Sequence, residues 1–139
     1  MIEIVLLGPP RGKERVRFNR TTGTAFTPKR TVEYEGRLAY AAQQAMAGRP
    51  PLTGALRVTM TVKMPIAASW PKKRRESALS GELRPTGKPD ADNFAKGLDS
   101  LNQIVWVDDA QIVDLRVIKI YTDQPGVWVR VEQTGGVFE

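Results

Sequence analysis

The stretch KPDADNFAKGLDSLN occupies residues 88–102 of this 139-residue chain. Within it, Phe94, Leu98 and Leu101 recur at i, i+4 and i+7, which is the spacing of one face of a helix. The spacing predicts an amphipathic helix over roughly 91–102 that packs this apolar face on the core. The same helix would then carry the polar residues of the stretch toward solvent or a site.

Two carboxylates open this stretch. Asp90 and Asp92 are two residues apart, and in an extended segment both side chains would point the same way. Lys96 follows Asp92 by one helical turn, within reach of the same face. Further on, Asp108 and Asp109 are expected to open a strand, where one of the two would face the same site.

An acidic cluster in a basic protein requires a reason. At about 4 Å and an effective dielectric of ~20, each like-charge pair costs roughly 4 kcal/mol. A divalent cation removes that cost, and Mg²⁺ is commonly held by one or two carboxylates together with phosphate oxygens. Three structural alternatives stay open: Asp90 or Asp92 as a helix cap, Lys96 as an ion-pair partner of Asp92, and Asp108–Asp109 as turn residues.

Composition narrows the chemistry. The chain has no histidine and no cysteine, which excludes Ser-His-Asp and Cys-His catalysis, histidine-zinc hydrolysis and disulfides. Its net charge of +6 and pI of about 9.9 are typical of nucleic-acid-binding proteins. No apolar window is long enough to span a membrane, and the N-terminus lacks the features of a signal peptide, so we expect a cytoplasmic protein. The cluster and the charge together predict a metal-dependent phosphodiesterase that acts on nucleic acid.

Two basic segments are the expected DNA contacts. One is an arm at the N-terminal side, in which Arg15 and Arg17 alternate with apolar residues, and the other is a mobile basic loop at about 66–88 that includes a short helix starting near Pro71. The candidate DNA-binding residues are Arg11, Lys13, Arg15, Arg17, Lys72, Lys73, Arg74, Arg75 and Lys88. The alternative for the arm is a solvated loop or an edge strand protected by charge.

The remaining patterns predict one α+β domain over residues 1–139. They indicate strands at 2–8, 56–64, 112–121 and 127–131, and a helix from Thr27-Pro28 through Met46. The first strand is expected to be buried on both faces, and the last to form a hairpin with its predecessor. The predicted fold is a small mixed β-sheet with two main helices packed on it.

The acidic motifs also carry a family resemblance. Asp-x-Asp-Asn with a lysine four residues after the second Asp, followed by Trp-x-Asp-Asp, resembles the core of the RusA family of Holliday-junction resolvases, which are common in phages and prophages. The specific similarity covers about residues 85–121, including Lys119 and Tyr121. Residues 66–88 are similar to the longer basic insertion of phage-type members.

The resemblance implies a RusA-like homodimer that uses Mg²⁺, or Mn²⁺ in its place, to resolve four-way DNA junctions by paired symmetric nicks in recombination and repair. By position, Asp90, Asp92 and Asp109 would be metal-binding catalytic carboxylates, Lys96 a catalytic lysine and Asp108 a supporting acid at the metal. Two alternatives remain: a non-catalytic DNA-binding or architectural protein, and a nuclease for other branched DNA or for RNA.

Overall fold

The elements lie in the order strand, hairpin, helix, strand, two helices, and two strands. The structure, a computed structural model, describes residues 1–134, and the last five residues of the predicted domain lie outside it. The elements are β1 (Ile2–Leu7), β2 (Arg17–Asn19), β3 (Thr24–Phe26), α1 (Lys29–Met46), β4 (Leu56–Pro65), α2 (Lys72–Ser80), α3 (Ala91–Lys96), β5 (Ile112–Thr122) and β6 (Gly126–Gln133), with 3₁₀ helices at Gly97–Leu101 and Asp109–Gln111.

Four of the strands form one mixed sheet in the order β1-β6-β4-β5. β6 runs antiparallel to both β1 and β4, whereas β5 runs parallel to β4. The predicted α+β fold with a mixed sheet is confirmed. The predicted hairpin between the last two strands is wrong, because β6 crosses to the other side of β4. In that central position its main chain bonds to two neighbours and its buried valines, Val127, Val129 and Val131, face the core.

Alternation along the strands places the core on one face of the sheet. In β1, Ile2, Ile4 and Leu6 are buried while the residues between them are exposed, so the prediction of burial on both faces is wrong. β1 is the last strand of the sheet in the described chain, and one of its faces remains exposed. In β4, the predicted period-2 pattern is confirmed, with Leu56, Val58, Met60 and Val62 fully buried.

Helix α1 covers this core. Its buried residues recur three and four positions apart, as expected for one helical face. They are Thr31, Tyr34, Leu38, Ala42 and Met46. The helix begins one residue after Pro28, close to the predicted start, and packs beside β1. The scaffold of the molecule is therefore the sheet with α1 on its apolar face.

The acid-bearing stretch packs on the same core through a helix that changes type. The α-helix α3 ends at Lys96 and continues as a 3₁₀ helix to Leu101, where the sequence predicts one helix over 91–102. Gly97 stands at the change, and its low helix propensity is consistent with it. A Cβ at Gly97 would meet no atom within 4 Å, so close approach of another backbone does not explain this glycine.

Trp106 fixes the far end of this segment. Its ring is fully buried, and its Nε1–H donates to Asn102 Oδ1 at 2.7 Å. The neighbouring carbonyl of Val105 accepts from the N–H of Leu52 at 2.7 Å, ahead of β4. The end of the acid-bearing segment is thus attached to the sheet by packing and by hydrogen bonds.

The basic segment at 66–88 contains helix α2, close to the predicted position. Trp70, ahead of the helix, packs edge-on against Tyr121 of β5 with ring centroids 5.2 Å apart. The guanidinium of Arg74 lies 4.0 Å from the centroid of the Trp70 ring. These contacts attach α2 to the edge of the sheet, and the mobility of the segment remains a prediction. Among the described residues, no helix has both the length and the apolar character that crossing a membrane would require.

Tyr34 provides a test of the core at alkaline pH. Its hydroxyl is buried and makes no hydrogen bond with a described residue. Burial disfavours the ionised form of the hydroxyl and so raises its pKa, an effect that the nearby main chain of Arg11 opposes only in part. Burial raises the pKa of Tyr34 to about 12. The pKa of Tyr34 in the folded protein exceeds its unfolded value of about 10, so ionisation of the hydroxyl favours the unfolded state. The stability associated with the neutral hydroxyl is therefore fully present below pH 10 and is lost as the pH rises through 12.

We therefore expect Tyr34→Phe to make the free energy of unfolding less sensitive to pH between 10 and 12. Between pH 10 and 12, the free energy of unfolding of the wild type should fall by of the order of 2 kcal/mol more than that of Tyr34→Phe. Urea unfolding at pH 8, 10 and 11.5 measures it, with the exposed Tyr40→Phe as control. Parallel pH profiles for the wild type and Tyr34→Phe would contradict the buried placement of Tyr34.

Candidate active site

A pocket of about 450 Å³ lies at the start of α3. Its lining combines acids with four cations. The lining residues are Lys13, Arg15, Lys88, Pro89, Asp90, Asp92, Asn93 and Lys96. The structure thus brings together three of the four predicted catalytic residues and three of the predicted DNA-binding cations, which come from two separate parts of the sequence.

The two carboxylates reach this pocket through the start of the helix. Asp90 occupies the N-cap position of α3 in an extended conformation, and its main-chain oxygen accepts from the N–H groups of Asn93 and Phe94 at 3.1 and 3.2 Å. Asp92 lies in the first helical turn, as the helix predicted over 91–102 requires, and only Asp90 is extended. The helix start nevertheless carries both residues to the same pocket, and negative charge is favoured at this end of a helix.

Neither acid is used structurally within residues 1–134. Asp90 stands at the cap position, but its side chain accepts no capping hydrogen bond. Asp92 and Lys96 are one turn apart and form no ion pair within 4.0 Å. Two of the structural alternatives, the cap and the ion pair, are therefore not formed, and the oxygens of both acids are available to a ligand.

Lys119 of β5 holds the loop that precedes Asp90. Its ammonium donates to the carbonyl oxygens of Gly87 and Pro89 at 2.7 and 2.8 Å. Sequence patterns alone assign no site role to Lys119. The sequence feature that could have indicated a role is the position of Lys119 in β5, because alternation places it on the strand face that also carries Val117 and Tyr121. A cation among apolar positions requires polar partners, and here they are carbonyls of the site.

The second acidic pair lies on a short 3₁₀ turn. Asp108 caps this turn by accepting from the N–H of Ala110 at 2.9 Å, and Gln111 Oε1 accepts from the N–H groups of Val107 and Asp108 at 2.9 and 3.0 Å. The strand begins only at residue 112, so the prediction that the pair enters a strand is wrong. Asp108 is instead a turn residue, which is the structural alternative considered for this pair. The hydrogen bond from Ala110 lowers the pKa of Asp108, as does a second one with Asp109.

Asp109 has a different environment from Asp90 and Asp92. Partial burial raises the pKa of Asp109, and the hydrogen bond and charge of Asp108 and the charge of Asp99 act in the same direction. Asp109 does not line the pocket of Asp90 and Asp92. Across residues 1–134, no three acidic side chains are grouped closely enough to hold a metal ion together. The role predicted for Asp109 and Asp108 at a metal therefore stays a prediction.

Of the remaining predicted cations, none lines the pocket. Arg17 pairs with Glu14 at 3.3 Å, and Lys72 lies 3.9 Å from Glu76. Lys73, Arg74 and Arg75 lie on α2 with exposed side chains. Basic groups therefore occupy both the pocket rim and a separate helix.

The donor set of the pocket fits a hard divalent cation. Two carboxylates without protein partners face one space, and Mg²⁺ is usually bound by one or two carboxylates, waters and substrate phosphates. The cations around them would attract such phosphates. The residues present thus match a site that is completed by substrate rather than by a full cage of protein ligands.

A comparison with protein families identifies the group to which this fold and pocket belong. The model of the family described as "Endodeoxyribonuclease RusA" matches residues 8–132, nearly the whole chain. The chain belongs to the RusA family. The match includes the pocket, α2 and the second acidic pair.

A protein of Bacillus subtilis (strain 168) is also similar to this RusA-family chain. The uncharacterised protein YqaN is 43% identical over 99 residues, which cover 68% of this chain and 70% of YqaN. Family membership supports a nuclease, of the kind that resolves Holliday junctions, and RusA-type resolvases generally require a divalent metal.

Lys119→Met tests the support of the pocket. Removing both hydrogen bonds should loosen the loop ahead of Asp90. With Asp90 as a predicted metal ligand, we expect DNA cleavage by this variant to require about tenfold more Mg²⁺, the usual cost of losing a residue that orients a metal ligand. Titration of cleavage rate against Mg²⁺ measures the shift. Arg116→Met, an exposed residue of the same strand, is the control. Equal Mg²⁺ requirements for the two variants would contradict the role of Lys119.

Proposed function

We propose that this chain is a divalent-metal-dependent endonuclease that resolves four-way DNA junctions by paired nicks, and that it acts in recombination and repair in the cytoplasm. The observation that carries the proposal is the pocket in which Asp90, Asp92 and Lys96 lie together with Arg15 and Lys88. Membership of the RusA family supports the same reaction class.

The acids are the proposed metal ligands. Asp90 and Asp92 offer oxygens on a helix start that is fixed by packing of Phe94 and by the bonds of Lys119 to the preceding loop. Asp109, with Asp108, is proposed to complete this set when substrate is bound. A bound Mg²⁺ or Mn²⁺ supplies water activation and neutralises charge on the phosphodiester.

The cations of the pocket act on the phosphate itself. Lys96 lies one turn beyond Asp92, and its ammonium would stabilise the negative charge that develops on the phosphoryl oxygens in the transition state. Arg15 and Lys88 line the same space and would bind the phosphates on either side. Lys96, Arg15 and Lys88 have no ion pair or side-chain hydrogen bond within the described chain. Each can therefore bind a phosphate without first breaking a contact.

The basic helix α2 and the N-terminal arm would follow the DNA backbone. In the arm these cations are Arg11, Lys13, Arg15 and Arg17, and in α2 they are Lys72, Lys73, Arg74 and Arg75. Phosphate contacts of this kind give affinity without sequence preference and make binding strongly dependent on salt.

A homodimer would match the symmetry of the substrate. Two strands of like polarity in a four-way junction are related by a two-fold axis, and a dimer with the same symmetry presents two identical pockets to them. Paired nicks at symmetric positions then follow from one site in each subunit.

Asp92→Asn tests the assignment directly. The substitution keeps the shape of the side chain and removes its charge, so we expect cleavage of a synthetic four-way junction in Mg²⁺ to fall by at least a hundredfold while DNA affinity stays within about twofold. Gel assays of cleavage and of binding measure the two quantities. Asp114→Asn, an exposed acid of β5, is the control. Cleavage by Asp92→Asn at the wild-type rate would refute the assignment.

Substrate comparison separates the proposal from its alternatives. Four-way junctions, forks, flaps, linear duplex and RNA hairpins should be assayed with and without Mg²⁺. A non-catalytic DNA-binding protein would bind these substrates without nicking any of them, and a nuclease for other branched nucleic acids would prefer a fork, a flap or RNA to the four-way junction.

Salt dependence of binding tests the role of α2. Replacing Lys72, Lys73 and Arg75 with Gln, while Arg74 is kept because it packs on Trp70, should weaken junction binding and reduce the slope of log K against log salt by up to about 3, or ~0.9 for each phosphate that is no longer neutralised. The cleavage rate at saturating DNA should remain close to that of the wild type. The matched control replaces Arg57, Arg116 and Arg130 of the sheet with Gln. An unchanged salt slope in the α2 variant would show that α2 does not contact DNA.

A further inference from the structure

Lys13 differs from the other cations of the pocket in that its ammonium is already bound. Lys13 Nζ donates to Asp99 Oδ2 at 2.7 Å and lies 3.6 Å from Glu35 Oε1. Burial alone would lower the pKa of Lys13, but the hydrogen bond to Asp99 and the charges of Glu35 and Asp99 raise it above its ordinary value. The two carboxylates already offset the positive charge of this ammonium, which weakens its attraction for a phosphate.

The main chain around Lys13 is docked on the acid-bearing helix. The N–H of Lys13 donates to the carbonyl of Asn93 at 3.4 Å. At Gly12, an added Cβ would come within 2.7 Å of Pro89 Cβ and 3.0 Å of Asn93 Nδ2. Real Cβ atoms do not approach this closely, so only glycine permits the arm to lie against Pro89 and Asn93.

These contacts join three elements at one point. Glu35 lies on α1, Asp99 on the 3₁₀ helix after α3, and Lys13 on the arm that leaves β1. Arg15, two residues beyond Lys13, lines the pocket beside the acids. The arm is thus held at Gly12 and Lys13, shortly before Arg15, which lines the pocket.

We propose that Lys13 is a positioning residue: its ion pairs with Asp99 and Glu35 hold the N-terminal arm against α3 and so keep Arg15 at the pocket, where it binds the phosphate. This proposal deepens the proposed nuclease function and rests on it for the role of Arg15. It assigns a role to Asp99 and Glu35, which are otherwise unassigned, and it replaces direct phosphate binding by Lys13.

Hydrogen exchange of the DNA-free protein tests the clamp without requiring activity. Lys13→Met and Asp99→Asn should each speed amide exchange at residues 11–17 several-fold, and the double variant should exchange no faster than Lys13→Met alone. Gly12→Ala should have the same effect through the steric contact and without a change in charge. Arg57→Met, which breaks the ion pair with Asp114 at 2.9 Å, should leave residues 11–17 unchanged.

Cleavage kinetics test the link to Arg15. Lys13→Met and Arg15→Gln should each lower the cleavage rate at saturating junction about tenfold, and the combined variant should be no slower than Arg15→Gln, because both changes act on the same phosphate interaction. Lys13→Arg, which keeps a cation between the two carboxylates, should recover part of the rate. If Lys13 binds a phosphate itself, the two reductions in rate multiply instead.

The two experiments separate the clamp from the nuclease assignment. Unchanged exchange at residues 11–17 in both Lys13→Met and Gly12→Ala, or multiplied kinetic effects, would overturn the clamp even if the wild type cleaves junctions. Faster exchange in a protein that cleaves no nucleic acid would refute the nuclease and leave the arm docking intact.

Discussion

Two carboxylates that have no partner in the described protein share one pocket, and the other features of the site depend on that arrangement. Like charges in one pocket are unfavourable, so the chain must hold Asp90 and Asp92 there by other contacts. Packing of Phe94 on the core, the bonds of Lys119 to the preceding loop and the position of both acids at a helix N-terminus hold them there. In the proposed function, a divalent cation that binds together with substrate would offset the negative charge of the two acids.

The cations of the protein divide into two groups around these acids. Some are engaged by the fold: Lys119 by carbonyl oxygens and Lys13 by Asp99 and Glu35. Others, Arg15, Lys88 and Lys96, line the pocket without an ion pair in the described chain. The first group fixes the geometry, and the second is available to phosphate. A count of basic residues in the sequence cannot make this distinction, although the proposed function depends on it.

Local patterns were sufficient to predict most elements of the fold. The alternation in β4, the helical spacing in α1 and the Asp-x-Asp motif before an apolar helix each depend on near neighbours in sequence. The position of β6 between β1 and β4 could not be read from its own residues, since a strand with alternating valines fits a hairpin equally well. Likewise, the ion pair of Lys13 with Asp99 joins residues 86 positions apart, and the acidic pair at 108–109 contains no signal that separates a 3₁₀ turn from a strand start.

Binding of a divalent cation tests the central claim most directly. Calorimetric titration with Mn²⁺ and Mg²⁺, in the presence of a short uncleavable DNA junction, compares the wild type with Asp90→Asn/Asp92→Asn and with the control Asp114→Asn/Asp123→Asn, whose acids are exposed and outside the pocket. The account predicts saturable binding by the wild type and the control, and no such binding by the pocket variant. Equal metal affinity in all three proteins would contradict it.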